Sequence, residues 1–130
     1  MHKPLSKKQI KDLNARLSSG ISKDGLVFIL QDILDPVNVG SIFRTADGLQ
    51  AKILLIGQTI KPPNKALSMA SRGLERSVEW EYMDRLEDAV ANLRKLNYQI
   101  IGLELTESSL LYSDFKYSDK VAIILGNEAH

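Results

Sequence analysis

The chain has 130 residues, 44% of them apolar and 25% charged, with 17 Lys and Arg against 16 Asp and Glu and no cysteine. These values fit one domain of ordinary globular composition and argue against a disordered chain, a collagen-like repeat or a long coiled coil. Without cysteine there is no disulfide scaffold, thiolate metal site or cysteine nucleophile, and no apolar run approaches the roughly 20 residues that span a bilayer.

Composition and N-terminal sequence together read as a soluble, cytoplasmic protein. The near-neutral total hides a local imbalance. Residues 1–23 carry Lys3, Lys7, Lys8, Lys11, Arg16 and Lys23 against Asp12 alone, a net +5 that leaves −4 for the rest. A basic arm of this kind suits a polyanion such as RNA and serves equally as a solvated helix face.

Ser6 and Gln9 have capping-box spacing, Leu5 and Ile10 the positions of a hydrophobic staple, and Ile10, Leu13 and Leu17 one apolar stripe. The spacing predicts a helical extension over 1–23, closed near Gly20, followed by a core over 24–130. In the core, strands are predicted at 26–30, 52–56, 78–82, 99–103 and 121–125, and helices at 37–48, 64–72 and 85–96. Apolar runs such as Val27-Phe28-Ile29-Leu30 are continuous rather than alternating, which marks strands covered on both faces. The expectation is an α/β fold: a Rossmann-like, mostly parallel sheet with flanking helices. Pro62-Pro63 and the polar stretch 106–118 read as loops.

Several chemistries can be set aside. The two histidines stand at positions 2 and 130, a poor basis for a Ser-His-Asp triad or a histidine metal site, and no metal is expected. Neither phosphate-loop pattern, G-x-x-x-x-G-K-[ST] or G-x-G-x-x-G, is present. Two segments remain at the carboxyl ends of predicted strands, where open α/β sheets hold ligands. In Asn38-Val39-Gly40-Ser41-Ile42-Phe43-Arg44-Thr45-Ala46, the residues Val39, Phe43 and Ala46 form a core stripe and leave Ser41 and Arg44 on another face. Asn38 reads as a ligand contact or as a helix cap, Arg44 as a site residue or as a surface ion-pair partner. In Leu125-Gly126-Asn127-Glu128-Ala129-His130, Gly126 either lets a ligand approach the backbone or serves a positive-φ turn with Asn127.

Together the two segments resemble the first and second motifs, N-x-G-x-I-x-R-T-A and L-G-x-E-x-x-G, of the SpoU/TrmH family of RNA 2′-O-ribose methyltransferases in the SPOUT superfamily. They stand in the right order, and Ser71-Arg72-Gly73-Leu74-Glu75-Arg76-Ser77-Val78 is similar to the segment that family places before its third strand. The resemblance covers residues 25–130. It implies S-adenosylmethionine as cofactor and structured RNA as substrate, transfer RNA ahead of ribosomal RNA, with a non-catalytic RNA-binding module as the alternative. It also implies a homodimer when the protein is full length, and no membrane. On this reading Arg44, Asn38 and Glu128 are catalytic; Leu103, Leu125 and Gly126 line the cofactor site; and Lys7, Lys8, Lys11, Arg16, Lys61, Lys65, Arg72 and Arg76 meet RNA phosphates. The family's third motif has no counterpart before His130. In relatives that region forms the deep trefoil knot and completes the cofactor pocket, so the resemblance implies that a polypeptide ending at His130 is inactive, binds the cofactor weakly and exposes apolar surface.

Overall fold

The computed structural model describes residues 25–103 and 119–126. The expected N-terminal helix with Lys7, Lys8, Lys11 and Arg16, the 106–118 loop, and Asn127 and Glu128 all lie outside these residues.

In chain order the elements are β1 (Leu26–Gln31), α1 (Pro36–Leu49), β2 (Lys52–Ile56), α2 (Lys65–Ser71), a 3-10 turn (Leu74–Arg76), β3 (Trp80–Met83), α3 (Leu86–Lys95), β4 (Gln99–Leu103) and β5 (Val121–Gly126). The five strands form one parallel sheet in the order β3-β2-β1-β5-β4. After β1 the chain moves outward through β2 and β3, then returns on the other side, placing β5 beside β1 with Gln31 opposite Gly126. Strand order reverses at β1 and β5, and their carboxyl ends open the crevice where α/β sheets bind ligands.

Both faces of the sheet are covered, as the continuous apolar strands require. Leu26, Phe28 and Leu30 face Val39, Phe43 and Ala46 of α1 and Leu67 of α2, while Val27 and Ile29 face Ala89 and Leu93 of α3. Phe28, Phe43, Leu30 and Ile29 are at most 1% exposed, and each such side chain contributes roughly 1.5–3 kcal/mol by leaving water.

Local signals fix the two helices on the first face. Asp35 caps α1 by accepting a hydrogen bond from the Val37 N–H at 2.9 Å, and a proline at the start of the helix has no N–H to lose there. Asn64 caps α2 by accepting from the Leu67 N–H at 3.0 Å. A Cβ on Gly40 would stand 2.5 Å from the Leu67 carbonyl oxygen and 2.6 Å from the Ala70 Cβ, so only glycine lets α1 and α2 approach this closely. The glycine of the Asn38–Ala46 segment is a packing residue.

Val78, expected to begin the third strand, lies before it. Its N–H donates to the Leu74 carbonyl at 3.3 Å, closing the 3-10 turn, and pairing with β2 begins only at Trp80. Val78 is apolar because it is buried beneath that turn, 7% exposed, and not because it is extended.

Candidate functional site

The carboxyl edge of the sheet is held by polar contacts that join residues far apart in sequence. Asp32, just past β1, takes a left-handed φ of 52°, donates its N–H to the Ile56 carbonyl at 3.2 Å, and accepts from the Gln58 N–H at 2.8 Å through Oδ1. Gly57 opposite has φ 67°, and a Cβ there would come within 2.3 Å of Asp32 Oδ1. This is a position that conformation and space both reserve for glycine. Buried Thr59 accepts from the Ile33 N–H at 3.1 Å and directs its hydroxyl between the Leu30 and Ile56 carbonyls. Tyr82 donates its hydroxyl to the Gly57 carbonyl at 2.9 Å, and Lys61 Nζ lies 4.0 Å above the Tyr82 ring. Asp84, a hydrogen-bond partner of the Tyr82 hydroxyl, and desolvation push the phenol above its ordinary range. The sequence reading missed Asp32, Gly57, Thr59 and Tyr82. A Gly-Gln-Thr turn directly after an apolar strand was the available signal.

From this edge α1 sets out. Asn38 is half-buried in the first turn, and the cap that the sequence left open for it belongs to Asp35. Arg44 is exposed, and among the described residues the ion pairs join Lys52 to Glu79 at 3.6 Å and Arg85 to Glu87 at 3.3 Å, neither of which includes it. Six residues of helix separate Asn38 from Arg44 by about 9 Å along the axis and about 120° around it. They flank the exposed face from two sides, with Ser41 between them. Ser41 donates to the Val37 carbonyl and Thr45 to the Ser41 carbonyl, so both hydroxyls are satisfied within the helix. Helical side chains slant toward the N-terminus, which directs the Arg44 stem back toward the crevice.

Gly126 ends β5 without a positive φ, so the turn reading does not account for it. Nor does crowding among the described residues, where a Cβ there would meet only Gln31 Oε1, at an ordinary 3.9 Å. Leu125 is 1% exposed with its side chain in the core, so its backbone is what it offers the crevice, and Leu103 pairs with it at the end of β4.

The basic residues fall in two groups. Lys61 and Lys65 stand at the carboxyl edge, Lys65 opening α2. Arg72 and Arg76 lie about 10 Å away past the far end of α2. All four are exposed. Among the described residues no group of three His, Cys, Asp or Glu is placed to hold a metal ion, and no helix is long and apolar enough to cross a membrane.

Comparison with known proteins gives concordant results. A family model described as the SpoU rRNA Methylase family matches residues 25–130. A 23S rRNA (guanosine-2′-O-)-methyltransferase from Neisseria meningitidis is 28% identical over 109 residues, covering 83% of this chain and 43% of the relative. The yeast tRNA (guanosine(18)-2′-O)-methyltransferase is 28% identical over 127 residues, covering 92% of this chain and 9% of that protein. Among solved structures, an AdoMet-bound rRNA methyltransferase from Sinorhizobium meliloti superposes with a TM-score of 0.70 at 27% identity, covering 84% of this chain and 42% of the other. The chain thus spans less than half the length of these relatives.

Proposed function

The chain belongs to the SpoU rRNA methylase family, and from that premise we propose that its protein methylates the ribose 2′-hydroxyl of structured RNA, transfer RNA ahead of ribosomal RNA. One observation carries the reading: an exposed arginine, outside any ion pair among the described residues, on the helix that leads out of the crevice between β1 and β5.

S-adenosylmethionine supplies an electrophilic methyl group in this chemistry. The residues here suit such a ligand, because among the described residues nothing crowds Gly126 at the end of β5, where strand order reverses. Gly126, with the backbone of Leu125 and the end of β4 at Leu103, would hold it.

A ribose hydroxyl is a poor nucleophile at neutral pH, so it must be held in line and must lose its proton as the new carbon–oxygen bond forms. A guanidinium stays protonated and presents a planar fork of donors. Arg44 therefore positions a neighbouring phosphate and the ribose oxygen together, and the hydroxyl proton passes by way of that phosphate to bulk water as the carbon–oxygen bond forms. Asn38 meets the ribose from the other flank of α1. Glu128, which follows β5 in sequence, steadies the second-motif loop. Lys61, Lys65, Arg72, Arg76 and the basic arm at Lys7, Lys8, Lys11 and Arg16 hold backbone phosphates, which position RNA without reading its sequence. The proposed working unit is a cytoplasmic homodimer. Leu34 and Val37, 52% and 51% exposed beside the start of α1, are apolar surface for a second copy, and sedimentation equilibrium at monomer mass would overturn that part.

The test is incubation of the protein with methyl-labelled S-adenosylmethionine and total RNA, followed by digestion to nucleosides. Label in a 2′-O-methylnucleoside supports the reading. Salt-sensitive RNA binding with cofactor bound and no label in any fraction replaces it with the non-catalytic RNA-binding module.

A further inference from the structure

Between α2 and β3 the chain buries a carboxylate that the proposed chemistry does not use. Glu75 is 8% exposed, and the hydroxyls of Ser68 and Ser71 donate to its two carboxylate oxygens. These hydrogen bonds hold its carboxyl below the usual range and so keep it charged. Burying a charge is costly unless it is well hydrogen-bonded, and a simple helix stop does not require one.

The residues on either side explain what is being fixed. Arg72 terminates α2 in the left-handed region, φ 57°, with its N–H donating to the Met69 carbonyl at 3.3 Å. That conformation is strained for a side-chain-bearing residue and normally falls to glycine at this position. Here glycine comes one residue later, at Gly73 with φ 78°. An arginine thus occupies the strained site. Arg76 closes the 3-10 turn four residues on, its N–H donating to the Gly73 carbonyl at 3.3 Å. Arg72 and Arg76 are exposed, and neither enters the ion pairs found among the described residues. The turn packs beside α1, on the flank where Gly40 meets Ser71, and Arg44 stands one turn further along that flank.

We infer that Glu75 is a positioning residue for RNA: its buried carboxylate, tied to Ser68 and Ser71, fixes the turn that presents Arg72 and Arg76 to backbone phosphates, extending the basic track from Arg44. The inference rests on the RNA reading of the site and names the place where the backbone runs away from the reacting ribose.

The test measures the affinity of a transfer RNA transcript as a function of salt, at a temperature where circular dichroism shows every variant folded. For each phosphate left without its cation, the slope of log affinity against log salt falls by about 0.9, which is about 3.5-fold across a fourfold change in salt. Arg72→Ala and Arg76→Ala should each show this loss, and Arg72→Lys should restore the slope. Glu75→Gln removes no cation but should lower the slope by up to twice that amount, because both arginines lose their placement, and adding Arg76→Ala to Glu75→Gln should be little worse than Glu75→Gln alone. Ser68→Ala, a gentler change at a half-buried hydroxyl, gives a smaller loss in the same direction should Glu75→Gln fail to fold. Wild-type slope and affinity in Glu75→Gln, or strictly additive losses in the double variant, overturn the inference while leaving RNA binding intact. Absence of RNA binding by the unmodified protein overturns both.

Discussion

The two faces of the sheet use their charges differently. Helix α3 places Glu87 and Asp88 in its first turn and Arg94 and Lys95 in its last, complementing its own dipole, and Arg85 pairs with Glu87 at 3.3 Å. On the opposite face, α1 and α2 have no acid in the first turn and no base in the last. Their stability comes instead from the caps Asp35 and Asn64 and from the close approach at Gly40. Their exposed cations, Arg44, Lys65, Arg72 and Arg76, are left out of the ion pairs found among the described residues, and Lys61 rests on an aromatic ring. On α3 acids and bases are ordered along the helix dipole, whereas α1 and α2 carry no such arrangement at their ends.

The contrast breaks most completely at Arg44. Arg44→Ala should lower turnover at least about 100-fold, as removal of a positioned charge at a reacting centre does. Stability should change by no more than about 0.5 kcal/mol, because the side chain is exposed and off the core stripe. Arg44→Lys should recover little, since the planar fork is lost, whereas Arg94→Ala on α3 should leave turnover unchanged. Initial rates and thermal melts of the three variants check this.

Charge reversal gives the next largest effect. Lys65→Glu with Arg72→Glu should weaken RNA binding by roughly tenfold or more and flatten its salt dependence, and the matched reversal of Arg94 and Lys95 on α3 should do neither. Filter binding at several salt concentrations separates the outcomes. Equal losses on both faces would erase the distinction.

Packing comes third. Gly40→Ala should cost about 1–3 kcal/mol, because the new methyl meets the Leu67 carbonyl, which belongs to backbone and cannot swing aside. Gly48→Ala, on the same helix with nothing within 4 Å of the added Cβ, should stabilise by about 0.5–1 kcal/mol. Denaturant titration distinguishes the two signs.

The smallest effect is the pH dependence that Glu75 confers. Its folded carboxyl titrates below its ordinary value of 4.5, chiefly through the Ser68 and Ser71 hydrogen bonds. The unfolded chain therefore takes up this proton first as pH falls. The stabilisation is present above about pH 4.5 and drains away as pH drops through the lower folded value. Glu75→Gln should flatten that part of an acid-stability profile.

Much of the fold is legible locally. The strands at 52–56 and 99–103 can be read to their ends, because their apolar runs are bounded by polar residues, and the helix expected at 64–72 includes both of its caps. The stripe Val39, Phe43, Ala46 is plain from spacing alone, and all three are fully buried. The misplaced start of β3 shows the limit of local pattern: Val78 has the composition of a strand residue but is buried under a turn, and only its bond to Leu74 reveals this. At the site, the sequence displays every cation but not which ones share a face, which depends on α1 and α2 packing together on one side of the sheet and α3 on the other. The hydrogen bonds of Asp32 to Gln58 and Tyr82 to Gly57 span 26 and 25 residues, beyond any local pattern.

The division between the faces is tested most directly by footprinting the lysines and arginines with and without bound transfer RNA, using side-chain modification read by mass spectrometry. Bound RNA should protect Arg44, Lys61, Lys65, Arg72 and Arg76 and leave Arg94 and Lys95 as reactive as in the free protein. Equal protection on the two faces, or protection of α3 alone, would contradict it.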